Sequence, residues 1–345
     1  MFEGIFLFVA YLFQSVIGKI MVPKPEKPSV SCLTKRLISN VLSLKQFRPL
    51  ASGSTFHMLA SALRPNHGFR YTKQEYLLDG EIVLDWMNPE SNKGIVILFP
   101  GLGGSSQGIH MVCLTNELVK RGFAVVVYNR RGHAKESTLK ITFPEHANIE
   151  DTDLAINAIS RSGIPIYGIG ISAGANNLVR YIGSKSNSPI LAAVSICNVL
   201  DLNKSYERLR KSRFLDRLVT SWIKSIYERH YGKIANINTM KQFDEYVTGK
   251  PVDKYYEEQS SVKALESIKI PILCISSRND MIVEPCVCDI QDKIALKNPN
   301  VVSVNTIDGG HVGFMTKDGN WADKVAAEWI DDRRRDLGKW PLEKA

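Results

Sequence analysis

The sequence lacks the signatures of several protein classes. Its 345 residues include six cysteines, and none of them forms the CxxC pair of a zinc ribbon or a redox site. The phosphate-binding patterns GxGxxG and GxxxxGK are absent, as are internal repeats and low-complexity tracts. We therefore expect a globular protein with free thiols that carries no metal, nucleotide or other cofactor.

Acidic residues are the scarcer charged class. Lysine and arginine number 44 against 35 aspartates and glutamates, a net charge of +9, so the surface favours anionic partners such as phospholipid headgroups. The densest basic run, from Lys204 to Arg217, is the one candidate for nucleic-acid binding, and it suits a membrane surface equally well. We predict membrane and lipid partners and no nucleic acid, and we leave the oligomeric state open.

One uncharged apolar run stands at the N-terminus. Residues Gly4–Gly18 read GIFLFVAYLFQSVIG, and three lysines follow before Pro28. A spanning helix needs about 20 residues, which the run approaches if Lys19 snorkels. We predict a single-pass anchor over residues 1–22 with the main body in the cytoplasm, because the positive charges follow the segment. A cleaved signal peptide is the alternative, although a basic n-region is missing. The sequon Asn203-Lys204-Ser205 would matter only in the lumen and keeps the orientation open.

Short apolar runs alternate with segments of helical periodicity along most of the chain. An antiparallel hairpin with Asp79-Gly80 at its turn comes first. The runs that follow have the length and composition of buried parallel strands. They are Ile95–Phe99, Ala124–Tyr128, Ile166–Ile171, Leu191–Cys197, Ile272–Ser276 and Val301–Val304. This alternation predicts the α/β class, with a mostly parallel, doubly wound sheet.

The predicted domain boundaries follow from where this alternation starts and stops. Residues 23–70 are expected to form a linker with short helices, and residues 71–200 and 268–345 the two parts of the core. Between the two parts, residues 201–267 are charged and helical without a buried strand. An insertion there predicts a helical cap over the carboxyl ends of the strands, where such sheets bind ligands.

A nucleophile motif lies between a predicted strand and a predicted helix. Residues 170–174 read GISAG and match GxSxG, the sharp turn that exposes a serine hydroxyl at the top of the sheet. Ser172 is therefore the candidate nucleophile, and a purely structural turn is the alternative. The amide of Ala173 and the amide of Leu102, in the glycine-rich loop after the first parallel strand, are the candidate oxyanion donors.

A serine hydroxyl needs a base, and the base needs an orienting acid. Of the seven histidines, only His230 and His311 follow Ser172, and His230 lies in the predicted cap. His311 follows the last strand in a glycine-rich loop and is the candidate base. Asp280 follows the strand after the cap and is the candidate acid. Asp308 is the alternative acid, although it is close to the histidine in sequence.

Six short stretches together resemble one branch of the α/β-hydrolases. They are PGLGG, NRRGH, GISAG, FDEYVTG, RND and GGHVGF. The sequence is similar to the abhydrolase domain-containing lipases, the plant embryogenesis-associated hydrolases and the bacterial YheT-type esterases from about Leu77 to about Phe314. This resemblance implies that Ser172, Asp280 and His311 form the triad. It also implies acyl-ester substrates, with phospholipids among them in the animal members, and an N-terminal anchor.

The sequence departs from these families at two positions. Asn279 stands where relatives often have a second aspartate, and Gly103 stands where many have threonine. Neither departure removes a catalytic group. The leading hypothesis is a membrane-anchored serine esterase or lipase of lipid metabolism, phospholipases included, that forms an acyl-Ser172 intermediate. Two alternatives remain open, which are an acyltransferase with the same intermediate and a non-catalytic scaffold of the same fold.

Overall fold

The computed structural model of the protein describes residues 24–64, 70–135, 143, 145–161 and 163–336. One sheet of nine strands forms its centre. In chain order, these strands are β1 (Ser29–Ser31), β2 (Lys73–Leu77), β3 (Ile82–Met87), β4 (Ile95–Phe99), β5 (Ala124–Asn129), β6 (Ile166–Ile171), β7 (Ile190–Ile196), β8 (Ile272–Ser277) and β9 (Val301–Thr306). A separate ladder pairs β10 (Met315–Thr316) with β11 (Gly319–Asn320).

The strand order across the large sheet is β1-β9-β8-β7-β6-β4-β5-β3-β2. The strands from β9 to β5 in this order run parallel, whereas β1, β3 and β2 pair antiparallel at the two ends. Parallel strands are buried on both faces and need continuous apolar sequence, which the valine- and isoleucine-rich runs supply. The carboxyl ends of all the parallel strands therefore meet at one edge.

Helices cover both faces of the sheet. In chain order they are α1 (Ser54–Ala62), α2 (Ile109–Lys120), α3 (Ile149–Ile159), α4 (Ala173–Ser184), α5 (Leu202–Arg210), α6 (Arg213–Tyr231), α7 (Met240–Thr248), α8 (Val252–Gln259), α9 (Val262–Glu266), α10 (Cys286–Ala295) and α11 (Trp321–Arg335). Side chains alternate between the faces of a strand. In β4, Ile97 and Phe99 accordingly join one apolar cluster and Val96 and Leu98 join the cluster on the opposite face. The predicted fold class is confirmed.

The insertion between β7 and β8 consists of helices α5 to α9. Asp201, Ser212 and Thr239 precede three of these helices, and each side chain accepts a hydrogen bond from a backbone N–H of the first turn. The helices enclose a small apolar cluster of their own, formed by Leu209, Ile223, Ile226, Met240 and Phe243. The insertion is thus helical, as predicted, and its first three helices share this small cluster. By contrast, Val252 of α8 and Leu265 of α9 belong to one of the two large apolar clusters of the sheet.

Two local predictions need correction. The segment predicted as a linker with short helices also contributes a strand, because β1 pairs with the free edge of β9. The predicted two-residue hairpin turn is longer, since residues 78–80 form a helical turn in which Leu78, Asp79 and Gly80 all have positive φ. Asparagine, aspartate and glycine tolerate this region best, and here the strand pairing on both sides also holds a leucine in it.

The predicted anchor over residues 1–22 lies outside the described residues. Within the described ranges, no helix combines the length and the apolar character that crossing a bilayer requires.

Candidate active site

Ser172 occupies a sharp turn between β6 and α4. Its backbone has φ 55° and ψ −121°, a strained conformation of the kind concentrated at functional sites. The flanking glycines make this turn possible, because strand and helix leave no space for side chains. A Cβ atom on Gly170 would lie 2.5 Å from Ala175 Cα, and one on Gly174 would lie 2.2 Å from Phe99 O. The turn therefore requires the glycines of the GxSxG motif on steric grounds.

The structure brings the three predicted triad side chains into one hydrogen-bonded chain. His311 Nε2 lies 2.9 Å from Ser172 Oγ, and His311 Nδ1 lies 2.8 Å from Asp280 Oδ2. Loops at the carboxyl ends of β6, β8 and β9 supply the three residues, so the parallel sheet itself assembles them. The arrangement has the geometry of a nucleophile, a base and an orienting acid.

The carboxylate of Asp280 is held in one orientation. Its exposed fraction is 1%, and its Oδ1 accepts hydrogen bonds from the N–H groups of Ile282 (2.7 Å) and Val283 (2.9 Å). Arg208 of the cap donates to the Asp280 carbonyl oxygen. Oδ2 is consequently directed at His311, and the cap is tied to the turn that carries the acid.

Asp308, the alternative acid, is engaged elsewhere. It accepts hydrogen bonds from Ser52 Oγ and the Gly53 N–H, both at 3.1 Å, and from Asn279 Nδ2 at 2.6 Å. It therefore fastens the segment before α1 to the loop that carries His311. Although Asp308 is close to His311 in sequence, the imidazole nitrogens contact Asp280 and Ser172 instead.

Asn279 has a structural role that the sequence analysis missed. Its side chain donates to Asp308 and accepts from Ser277 Oγ (2.7 Å) and the Gly310 N–H (2.8 Å). An aspartate here could not donate to Asp308 and would place two carboxylates together. The departure from the two-aspartate pattern of relatives thus suits the carboxylate at position 308. The presence of an asparagine at position 279 together with an aspartate at position 308 was the sequence signal that could have indicated this hydrogen bond.

The two candidate oxyanion donors belong to the two segments that flank the nucleophile, helix α4 and the loop after β4. Ala173 is the first residue of α4, and the N–H groups of a first helical turn have no partner within the helix. Gly101 packs against the nucleophile, because a Cβ atom on it would lie 3.4 Å from Ser172 Cβ. Leu102 follows directly in this loop and lines the adjoining cavity. The loop therefore runs beside the serine.

The second departure from the family pattern, Gly103, also has a steric explanation. Its φ is +65°, and an added Cβ atom would lie 3.1 Å from Ile226 and 3.2 Å from Trp222, both on cap helix α6. A threonine here would make the side chains of Ile226 and Trp222 shift by a few tenths of an ångström, and the positive φ would strain its backbone. The close approach of the cap to this loop therefore explains why glycine suits position 103.

A cavity extends from Leu102 beneath the cap. One part of its lining is apolar and comes from Phe143 and the cap residues Ile223, Phe243 and Val247. The other part is polar, with Arg130, His146, Asp244 and Tyr255 among its members. The cavity thus offers both an apolar surface and a charged one next to the oxyanion loop.

The site offers three atoms of the kinds that bind metals. Cys197 Sγ lies with side-chain atoms of Asp280 and His311 within 4.8 Å of one another. Both imidazole nitrogens of His311 are already used, however, and burial raises the pKa of the Cys197 thiol well above its ordinary value. All six cysteines are free. The chemistry of these groups favours a hydrogen-bonded triad with a neutral thiol behind it.

Comparisons with known proteins agree with this architecture. The family model described as serine aminopeptidase, S33, matches residues 90–289. The mouse phospholipase ABHD3 is 29% identical over 273 residues, which are 70% of this chain and 65% of the relative. Embryogenesis-associated protein EMB8 of Picea glauca is 27% identical over 299 residues, with 78% and 65% covered. The chain thus spans 65% of the length of each of these relatives.

A solved structure shows the same fold. The Pyrococcus furiosus esterase Pf2001 superposes with a TM-score of 0.55 at 19% identity, covering 75% of this chain and 90% of that chain. The resemblance to the abhydrolase-domain branch of the α/β-hydrolases is confirmed by the family match and the relatives. Because the family match covers more than half of the chain, the chain belongs to the serine aminopeptidase S33 family of α/β-hydrolases.

Proposed function

We propose that the protein is a serine hydrolase that cleaves carboxylic esters through an acyl-Ser172 intermediate. The observation that carries the proposal is the continuous hydrogen-bonded chain from Asp280 through His311 to Ser172, with distances of 2.8 and 2.9 Å. A scaffold without catalysis would not need a carboxylate buried behind an imidazole that faces a strained serine. The similarity to the mouse phospholipase supports an ester substrate.

The residues have the following roles in the proposed mechanism. His311 Nε2 takes the hydroxyl proton while Ser172 Oγ attacks the carbonyl carbon, and the amides of Leu102 and Ala173 stabilise the oxyanion. Collapse breaks the ester C–O bond, and His311 returns the proton to the leaving alcohol. In the second half, His311 takes a proton from water as the water oxygen attacks the acyl carbon. Cleavage of the bond between Ser172 Oγ and the acyl carbon then releases the carboxylic acid, and His311 returns the proton to Oγ. Asp280 holds the tautomer with the proton on Nδ1 and stabilises the imidazolium.

A fluorophosphonate probe and an acyl ester together test this proposal. The full-length chain should release free acid from a short soluble ester and should form one covalent adduct, found by mass spectrometry on the peptide that contains Ser172. Labelling should abolish hydrolysis in proportion to the adduct formed. An unlabelled active protein, or an adduct on another residue, would contradict the proposal. With an added alcohol present, transferred acyl product in place of free acid would instead assign acyl transfer.

We also propose that the substrates are lipid acyl esters and that residues 1–22 hold the protein at a membrane. The apolar part of the cavity beneath the cap, the net charge of +9 and the apolar N-terminal run support this proposal. The full-length chain should stay in the membrane pellet after carbonate extraction. A variant starting at Pro23 should be released and should keep activity on a soluble ester, because the triad lies downstream. Release of the full-length chain would exclude an anchor.

A further inference from the structure

Two adjacent arginines after β5 have opposite electrostatic environments. Arg131 pairs with Glu81 and Asp151, each at 2.6 Å. Arg130 is 6% exposed, and its guanidinium contacts the His146 carbonyl oxygen and His133 Nε2, both 3.4 Å away. Among the described residues, no carboxylate lies within ion-pairing distance of it. Burying a cation without a counter-charge is strongly unfavourable, so Arg130 lacks the anion that its position calls for.

A second buried group in the same cavity also lacks a partner. His146 Nε2 contacts Asp244 Oδ2 at 3.2 Å, whereas His146 Nδ1 is buried without a hydrogen bond to any described residue. The same Asp244 oxygen accepts a hydrogen bond of 2.6 Å from Tyr256. The carboxylate that lines the cavity is thus occupied by other donors. His146 Nδ1 is therefore available to contact a ligand in the cavity while Nε2 contacts Asp244.

The position of Arg130 relative to the nucleophile follows from the strand register. Gly170 of β6 lies opposite Phe99 of β4, and Leu98 of β4 lies opposite Val127 of β5. Ser172 and Arg130 thus occupy equivalent positions just beyond their strands, separated by two strand spacings, about 10 Å. Leu102, from the oxyanion loop between them, lines the same cavity as Arg130. A ligand at the oxyanion loop can therefore extend to the guanidinium.

We propose that Arg130, with His146, forms a subsite for the phosphate of an acyl-ester substrate. In glycerol-based phospholipids, five or six bonds separate the ester carbonyl carbon from phosphorus, roughly 6–8 Å. The backbones of Ser172 and Arg130 are about 10 Å apart. A phosphorus atom roughly 6–8 Å from a carbonyl carbon held at Ser172 would therefore be within reach of the Arg130 side chain. Arginine binds phosphate oxygens through paired N–H donors. The inference rests on the proposed ester hydrolysis and adds that the substrate carries a phosphate on its alcohol part.

The kinetic test compares two substrates that differ only in the phosphate. These are a monoacylglycerol and the corresponding monoacylglycerol 3-phosphate with the same acyl chain. Arg130→Gln should lower the ratio of kcat/KM for the phosphate ester over that for the neutral ester about 10- to 100-fold, mainly through KM, as expected for a charged hydrogen bond. The Arg130→Lys variant keeps the charge, so its ratio should lie between that of the unchanged protein and that of the Gln variant. An unchanged ratio in the Gln variant would overturn the subsite.

The matched control is a nearby arginine that does not line the cavity. Arg180 donates to the Ala147 carbonyl oxygen at 3.2 Å and to Gln259 Oε1 at 2.6 Å. Arg180→Gln removes a guanidinium from the same region and should leave the substrate ratio unchanged. An equal fall in the ratio for both variants would indicate a general electrostatic effect and would contradict a specific site at Arg130.

A binding measurement separates this inference from the proposed function. In the Ser172→Ala background, sn-glycerol 3-phosphate should raise Tm, glycerol should not, and the added Arg130→Gln change should remove the shift. This result would support the subsite even if no ester were hydrolysed. Absence of a shift would overturn it. An equal shift with inorganic phosphate, together with an unchanged substrate ratio, would also overturn it and would indicate a site for free phosphate.

Discussion

Ser172→Ala should lower kcat on a soluble ester by about 10⁴-fold or more, because the nucleophile and the proton donor to His311 are lost together. The serine oxygen contacts His311 Nε2 at 2.9 Å. The substitution leaves the strained backbone in place and removes one small polar group, so we expect a change in Tm of only a few degrees. Steady-state kinetics and thermal unfolding of the same preparation measure the two effects.

A buried serine outside the site provides the control for this variant. Ser205 of the cap donates a hydrogen bond of 2.9 Å to the Val199 carbonyl oxygen. Ser205→Ala should cost roughly 1 kcal/mol of stability and keep kcat within about a factor of two. If the variant at position 172 kept most of its activity, the nucleophile would lie elsewhere. If both variants lost activity equally, a general loss of folding would explain the result.

Asp280→Asn should lower kcat by about 10⁴-fold, and the structure explains why the amide cannot substitute. The N–H groups of Ile282 and Val283 both point at one side-chain oxygen of residue 280. An asparagine would keep its oxygen there and turn its NH₂ group toward His311. The imidazole would then accept at Nδ1 and carry its proton on Nε2, where it cannot take a proton from Ser172. The pH–rate profile and kcat together measure this effect.

Asp308→Asn is the matched test of the alternative acid. Asp308 contacts Ser52, Gly53 and Asn279, so the change should loosen that segment and cost about 1 kcal/mol of stability. We expect kcat to fall by less than about tenfold, because no contact with the imidazole is lost. A reversed order of the two effects would identify Asp308 as the orienting acid and exclude Asp280.

Much of the fold could be predicted from local sequence patterns. Buried parallel strands are apolar on both faces, and the runs that begin at Ile95, Ile166 and Ile272 coincide with the starts of β4, β6 and β8. Strand β1 could not be predicted, because a segment of three residues has too little periodicity to be distinguished from a loop. It forms only because the edge of β9 offers unpaired backbone groups at that place.

The candidate site was predictable to the extent that chain order determines it. In a parallel sheet, loops that follow different strands meet at one edge, so a serine, an acid and a histidine that each follow a strand are expected to converge. Residue types and spacing favoured Asp280 over Asp308 but left Asp308 open as the alternative, since both aspartates follow strands. The backbone amides that fix one carboxylate and the donors that occupy the other make this distinction.

The sequence by itself determined the α/β class, the inserted cap and the identity of the candidate nucleophile and base, because these depend on periodicity, order and the glycines around Ser172. Only the tertiary structure decided how Asn279 suits the acid turn, why Gly103 replaces a larger residue beneath the cap, and that Arg130 lacks the carboxylate partners of Arg131. Each of these depends on contacts between segments distant in the chain. Steric fit and charge pairing across such contacts leave no periodic pattern in the sequence.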